Sequence, residues 1–411
     1  MVNGRPPRDD QALDVWFSGK LEKIEECEIT SGFCWHPVIQ EFRDLIESDA
    51  ELYMGFHEMF EQVPRKPPYD KDPSGRLQIR DYMKMLSLFN CVLHEAPEFE
   101  THGFVAFPIN AVLNWPMGTS AGQAVFTSSK VNAQFKKMFD VWSSFLASKE
   151  SRYVLTTDEK GWFGPEANKA LPGFDDMFIC EPNAPYKGFK SWDDFFVRKF
   201  RPGVRPFLGN NSSVNCACES TVYAIAHNVK GRDQFWLKHQ PYSLYHMLDN
   251  DKFAPRFIGG TVFQAYLSAL EYHRWNSPVD GKVLKTVMIP GAYYAASPSM
   301  GFSSKDPDPA AQNRSQGFIT QVATRALIFI EADNPEIGLM CFMAVGMAEV
   351  STCEITVREG SILRKGDELG MFHFGGSTHC LIFRPETKVT FVNCLIGTKV
   401  KLGTVIATVG R

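Results

Sequence analysis

Lys365-Gly366-Asp367-Glu368-Leu369-Gly370, running on into Met371-Phe372-His373-Phe374-Gly375-Gly376-Ser377-Thr378, is the stretch on which the reading of this chain turns. Punctuated by glycines, it lies in a half of the chain that reads as short β-rich runs. It closes on a Gly-Gly-Ser tract. Two glycines remove the Cβ atoms that would block unusual backbone angles, so the peptide before Ser377 can be held strained and open to attack. The Ser377 hydroxyl can then add to the Gly376 carbonyl and turn an amide into an ester. Elimination from that ester leaves a dehydroalanine, which hydrolyses to an N-terminal pyruvoyl group. An ordinary Gly-rich turn has the same composition, so the tract decides nothing without its neighbours.

Outward from that tract, short β-rich runs fill the second half: Thr221 to Ala226, Gly260 to Tyr266, Lys282 to Ile289, Ala326 to Glu331 and Leu339 to Val357. A polar loop, Lys305 to Gln316, interrupts them. Ser277-Pro278-Val279-Asp280-Gly281-Lys282-Val283 and Val357 to Gly370 look like the hairpins of a lipoyl/biotinyl-type sandwich. Where such a carrier presents its lysine, this chain presents Gly376-Ser377. Its Met83-Lys84-Met85 falls in a helical stretch and is a decoy. The first third reads as helical. Ile39, Phe42, Ile46, Met54, Met59 and Phe60 form one stripe between Pro37 and Val63. A second helix is expected over Leu77 to Leu93. A third carries Val131, Phe135, Met138, Trp142 and Phe145 on one face. The expected class is α+β, with a helical N-terminal region over 1–180 and a β-rich catalytic region over 190–411.

Composition excludes several functions. Lys plus Arg number 43 against 47 Asp plus Glu, a net charge of 43 − 47 = −4, and there is no long basic run, so nucleic acid is not an expected partner. No uninterrupted apolar stretch approaches the roughly 18 residues that span a bilayer. The polar start, Met1 to Asp10, lacks an apolar signal core. Stable membrane insertion is therefore not expected, and a cytoplasmic location is. Ten cysteines run from Cys27 to Cys394 without repeat spacing, and Cys216 and Cys218 have no second pair nearby. Reduced thiols and no metal are the expectation.

Four tracts coincide in order and spacing: Ser191-Trp192-Asp193-Asp194-Phe195-Phe196-Val197-Arg198-Lys199-Phe200-Arg201-Pro202-Gly203-Val204-Arg205-Pro206; Tyr272-His273-Arg274-Trp275-Asn276-Ser277-Pro278-Val279-Asp280-Gly281; Val345-Gly346-Met347-Ala348-Glu349-Val350; and Lys365 to Thr378. Together, over about residues 185–405, they resemble the phosphatidylserine decarboxylase family of pyruvoyl enzymes. Cys216-Ala217-Cys218-Glu219-Ser220, Ile330 to Asn334 and Gly370 to Phe374 look most like a soluble branch that includes a fungal L-tryptophan decarboxylase.

The resemblance implies cleavage between Gly376 and Ser377 into a β chain, 1–376, and an α chain, 377–411, which stay associated. Ser377 would supply the covalent pyruvoyl cofactor, whose carbonyl takes up the electrons left when a carboxylate leaves as CO₂. No motif argues for pyridoxal phosphate (PLP). His273, in the position of the first His of the family's Tyr-His-Arg motif, is the candidate that returns a proton to Cα. Arg198 and Lys199 fit a structural role, or less well a role in binding the substrate carboxylate. Two departures stand out. Members acting on phosphatidylserine usually have Asp-Gly where this chain has Cys218-Glu219, and a second His where it has Asn276, which cannot take a proton as imidazole can. Glu219 is the candidate replacement for that Asp, and His379 or His373 for the base. The implied activity is decarboxylation of a free L-amino acid, with an aromatic one such as tryptophan favoured. The alternatives are phosphatidylserine decarboxylation and a non-catalytic homologue that binds or scaffolds.

Overall fold

The helical layer begins where a proline and two side-chain caps dictate. A computed structural model describes residues 35–71, 78–99, 108–233, 242–268, 270–298, 302 and 314–410. Helix α1 (Pro37–Ser48) has Pro37 in its first turn, where the missing N–H costs nothing, and His36 accepts from the Val38 N–H. It buries Val38, Ile39, Phe42 and Ile46, and stops at Asp49. Asp49 is extended and caps α2 (Ala50–Glu61) by accepting from the Glu51 and Leu52 N–H groups. The single stripe expected from Pro37 to Val63 is thus two helices. The break resets the phase, so Leu52, Phe56, Met59 and Phe60 face inward while Met54 is 55% exposed.

The helix expected from Leu77 starts only at Tyr82, because Asp81 caps α3 (Tyr82–Val92) through the Lys84 N–H; Leu77 itself lies outside the described residues. Met83-Lys84-Met85 is inside α3, with Lys84 on the exposed side. After the short α4 (Pro108–Leu113) and α5 (Ser120–Thr127) comes α6 (Ser129–Leu146), which buries Val131, Phe135, Met138 and Trp142. Phe145 is half-buried, and Leu146 completes the stripe.

The second half supplies fourteen strands among the described residues. In chain order they are β1 (Ser213–Asn215), β2 (Ser220–His227), β3 (Thr261–Leu267), β4 (Arg274–Asn276), β5 (Gly281–Ile289), β6 (Arg325–Ala332) and β7 (Leu339–Met347). They continue with β8 (Cys353–Ile355), β9 (Ile362–Leu363), β10 (Glu368–Phe372), β11 (Gly376–Phe383), β12 (Val389–Phe391), β13 (Lys399–Val400) and β14 (Val405–Val409). An eight-stranded antiparallel sheet runs β13-β2-β3-β11-β7-β6-β5-β9, and two small sheets run β1-β14-β12 and β4-β10-β8. The class is α+β.

The stretch read as one β-run from Leu339 to Val357 is β7 and β8 separated by a tight turn. Of the expected polar loop from Lys305, residues 305–313 lie outside the described residues, and Gln316 opens a helix (Gln316–Val322) instead. The two hairpin-like tracts meet each other: Gly281 pairs with Leu363, and the Lys365 N–H donates to Asp280 Oδ1 at 2.8 Å.

Because strand side chains alternate, β11 feeds two cores. Leu381 and Phe383 face one, with Phe263, Phe342 and Trp275; Cys380 and Ile382 face the other, with Leu327 and Val345. The helices are not a separate unit from this sheet. One apolar cluster takes in Phe42, Phe135 and Trp142 together with Tyr293, Tyr294, Val350 and Phe374. Phe374 receives Trp142 and Trp192 edge-on, at ring-centre distances of 5.4 and 4.9 Å. The helical layer is therefore braced against the residues that lead into β11.

No helix among the described residues is long and apolar enough to cross a membrane. No disulfide joins two described cysteines, and no described group of His, Cys, Asp or Glu is arranged to hold a metal.

Candidate active site

Gly376 and Ser377 open β11 in the middle of the large sheet, so the bond between them is not at an exposed hairpin tip as a carrier's lysine would be. Ser377 lies between Leu267 of β3 and Gly346 of β7. By alternation it shares a face with His379, and Thr378 points the other way. Thr378 is fully bonded: its hydroxyl donates to the Ala265 carbonyl at 2.9 Å and accepts from Gln264 at 3.2 Å. Ser377 is buried, and its Oγ has no hydrogen-bond partner among the described residues. A buried hydroxyl left alone costs about 1–3 kcal/mol, so such groups are rare where nothing is gained by them.

The turn between β7 and β8 wraps this bond. Ala348, Glu349 and Ser351 have φ of 56°, 47° and 41°, left-handed values that side-chain-bearing residues rarely adopt. The strain is held by the contacts the turn makes with the residues before Ser377. The Ser351 N–H donates to the Phe374 carbonyl at 2.7 Å, and the His373 N–H to the Thr352 carbonyl at 2.9 Å. Gly375 has φ 147°, and a Cβ there would collide with Ser351 Oγ and lie 2.7 Å from the Ala348 carbonyl oxygen. A Cβ on Gly376 would lie 2.8 Å from the Met347 carbonyl oxygen. Both glycines are required by close approach.

Glu349 has no solvent exposure. Its Oε1 accepts from the Asn110 N–H at 3.0 Å, its own N–H donates to Tyr294 Oη at 3.1 Å, and Oε2 has no partner among the described residues. Burial pushes its carboxyl up to about 8, against the backbone N–H groups of Asn110 and Ile109, so it is mostly protonated at neutral pH. The same acid ties α4 of the helical layer to the strained turn.

His273 immediately precedes β4. Its carbonyl accepts from the Phe372 N–H at 2.8 Å, and its ring stacks on Phe196 at 3.9 Å between centres. Burial and then the Arg198 charge push it well below the usual imidazole range, while the Glu271 carbonyl pulls weakly the other way. Neither ring nitrogen has a hydrogen bond of good geometry among the described residues. His379 is similar: burial takes it down to about 3 against the Ala265 carbonyl, and it stacks on Phe342. Both imidazoles are neutral at pH 7.

His373 is the opposite case. Burial would lower it, but Asp193 at 2.9 Å from Nδ1 and Glu354 at 2.9 Å from Nε2 outweigh that and raise it to about 9. Positively charged and bonded at both nitrogens, His373 has no lone pair to offer as a base.

Glu219 is ion-paired with Arg205, whose guanidinium lies over Phe200. Because Ser377 Oγ is unbonded, neither Glu219, His273 nor His379 touches it by a hydrogen bond in the uncleaved chain. Asn276 donates to the Gly366 carbonyl at 2.7 Å, a backbone-tethering role. Arg198 gives its N–H groups to the carbonyls of Phe195, Leu270 and Glu271 and stacks near Phe178, while Lys199 reaches Glu368 at 3.7 Å. Both are in structural contacts. The sequence reading passed over Glu349 and Ser351; the available signal was an acid inside an otherwise apolar run, Val345 to Val350, next to the expected site.

Comparison with known proteins agrees with this architecture. A family model described as phosphatidylserine decarboxylase matches residues 192–408, and a second of the same description matches 36–171. The chain is 38% identical over 390 residues to an L-tryptophan decarboxylase of Psilocybe cubensis, covering 90% of this chain and 85% of that one. It is 44% identical over 320 residues to the decarboxylase iboD of Amanita muscaria, covering 74% and 91% respectively. A phosphatidylserine decarboxylase proenzyme 3 of Schizosaccharomyces pombe is 30% identical over 235 residues, 57% of this chain and 23% of that one. The family model and these relatives make the chain a carboxy-lyase. The chain belongs to the phosphatidylserine decarboxylase family.

Proposed function

We propose that this chain is a pyruvoyl-dependent decarboxylase of a free L-amino acid, with L-tryptophan favoured, activated by self-cleavage between Gly376 and Ser377. The observation that carries the reading is the unbonded, buried Ser377 hydroxyl beside a peptide bond clamped by a strained turn. The preference for an aromatic amino acid rests on the Psilocybe cubensis relative, which aligns over 90% of this chain. The residues present fit a pyruvoyl group: Ser377 is the hydroxy amino acid from which it forms, and the glycines before it leave no side chain over the bond. When formed, the group supplies a carbonyl that accepts the electron pair released with CO₂.

The remaining work falls to this chain's own residues. After cleavage, 377–411 remains bound because β11 is paired on both sides, with β3 and β7, and β14 is paired with β1. His273 is neutral in the uncleaved chain, so it must bind a proton before it returns one to the substrate Cα. His379, two residues beyond Ser377 on the same face, is the neutral imidazole placed to take the Ser377 proton once the strand end shifts. Glu219 is held in its ion pair with Arg205 and makes no hydrogen bond to Ser377 in the uncleaved chain. The surrounding rings of Phe196, Phe342 and Phe374 keep water out, which strengthens each electrostatic contact.

The test is CO₂ and amine release by the purified full chain, offered free L-tryptophan, other L-amino acids and phosphatidylserine vesicles in parallel. Turnover of a free amino acid that Ser377→Ala abolishes is the expected result. Turnover of the vesicles alone would transfer the assignment to the lipid, and turnover by Ser377→Ala would end it.

A further inference from the structure

Among the described residues, the side chain that reaches the bond to be broken is one that no motif marks. Ser351 Oγ lies 3.4 Å from the Gly376 carbonyl oxygen. The same hydroxyl is within reach of the Met347 carbonyl, at 2.5 Å, and of the Ala348 carbonyl. One proton can serve only one of these three acceptors at a time. Ser351 is fully packed in, sits at φ 41°, and is held by its N–H bond to the Phe374 carbonyl. Space is cleared for it by two glycines, since a Cβ on Gly375 would strike its Oγ and one on Gly346 would strike its carbonyl oxygen. A serine is a poor choice for that backbone conformation; glycine would fit with less strain. What serine adds is the hydroxyl.

We infer that Ser351 is a catalytic residue of self-cleavage, its hydroxyl donating to the Gly376 carbonyl oxygen while Ser377 attacks; this rests on the reading of the chain as self-cleaving. In that step Ser377 Oγ bonds to the Gly376 carbonyl carbon, and the C=O π pair moves onto the oxygen. Ser351 keeps its own proton and shares it with that oxygen. The pair then returns, the C–N bond breaks, and the nitrogen takes the proton given up by the Ser377 hydroxyl. The product is an ester with a free amine, and no atom is gained or lost. Neutral carbonyls of Met347 and Ala348 compete with Gly376 for the Ser351 proton before reaction. Once negative charge develops at Gly376, its oxygen is the strongest acceptor of the three. The contact therefore tightens only as the bond is attacked, which is the condition for lowering the barrier rather than stabilising the uncleaved chain.

The experiment follows cleavage of freshly synthesised full-length chain by denaturing gel over time, for the unsubstituted chain and for Ser351→Ala, Ser351→Gly and Ser377→Ala. Loss of one donor to a developing oxyanion slows such steps on the order of a hundredfold. Ser351→Ala and Ser351→Gly are both expected to slow by that order, the glycine because it removes the hydroxyl even as it relieves the strained turn. Normal cleavage by Ser351→Gly would show that only the turn's shape matters and would overturn the inference. Normal cleavage by Ser351→Ala would overturn it equally. If the unsubstituted chain itself does not cleave, the self-cleavage reading fails first; if it cleaves and only the Ser351 result goes the wrong way, that reading stands and this one falls.

Discussion

Replacing Glu349 by Gln should flatten the pH dependence of this protein's stability. The carboxyl is raised from an ordinary value of 4.5 to about 8, chiefly by burial. Between those two values the folded state holds a proton that the unfolded state has released, so stability is present at low pH and is lost as pH rises toward 8. At about 1.4 kcal/mol per pH unit, and allowing for partial titration at each end, the loss from pH 5 to pH 8 is on the order of 3–4 kcal/mol. Gln keeps an oxygen for the Asn110 N–H but cannot ionise. Whatever constant cost its buried amide carries is the same at every pH and does not change the slope. His373, raised to about 9, also loses stabilising charge as pH climbs, but it does so in both proteins and cancels in the comparison. The assay is urea unfolding at several pH values between 5 and 8, with Ser377→Ala in both proteins so that each remains a single chain. The Gln variant should lose less over that range, by on the order of 3–4 kcal/mol. Parallel pH profiles would refute the reasoning, because they would mean that Glu349 is ionised in the fold.

Gly375→Ala places a Cβ against Ser351 Oγ and the Ala348 carbonyl at φ 147°. It should destabilise the uncleaved chain by about 1–3 kcal/mol and slow cleavage, measured by urea midpoint and gel time course; an unchanged rate would contradict the close approach described. Trp142→Ala removes the ring that meets Phe374 edge-on and the Nε1–H that donates to the Glu95 carbonyl at 2.9 Å. Loss of about 3–5 kcal/mol in urea unfolding is expected, and a loss under about 1 kcal/mol would show that the helical layer does not brace the site.

Much of the layer order was legible because its signals are local. The runs at Thr221, Gly260, Lys282 and Ala326 fall on β2, β3, β5 and β6, since alternation and glycine punctuation are properties of neighbouring residues. The stripe of α6 was legible for the same reason. The break at Asp49 was not, because a short acid that caps the next helix looks the same in sequence as one on a solvated face. Within the site, Ser377 and its glycines announced themselves through chain chemistry. Glu349, Ser351 and the Asp193–His373–Glu354 triple did not. Asp193 and His373 lie 180 positions apart in the chain, and only the folded structure brings them together. Composition says nothing about which acid ends up buried without a cation, and that is what separates Glu349 from the ion-paired Glu219.

Intact mass spectrometry of the purified 46.4 kDa chain tests the central claim most directly. Two species are predicted, residues 1–376 and residues 377–411, the smaller lighter by one ammonia than a fragment beginning with serine and reactive toward a ketone reagent. A single unbroken chain that releases CO₂ from substrate, with serine intact at 377, would contradict it.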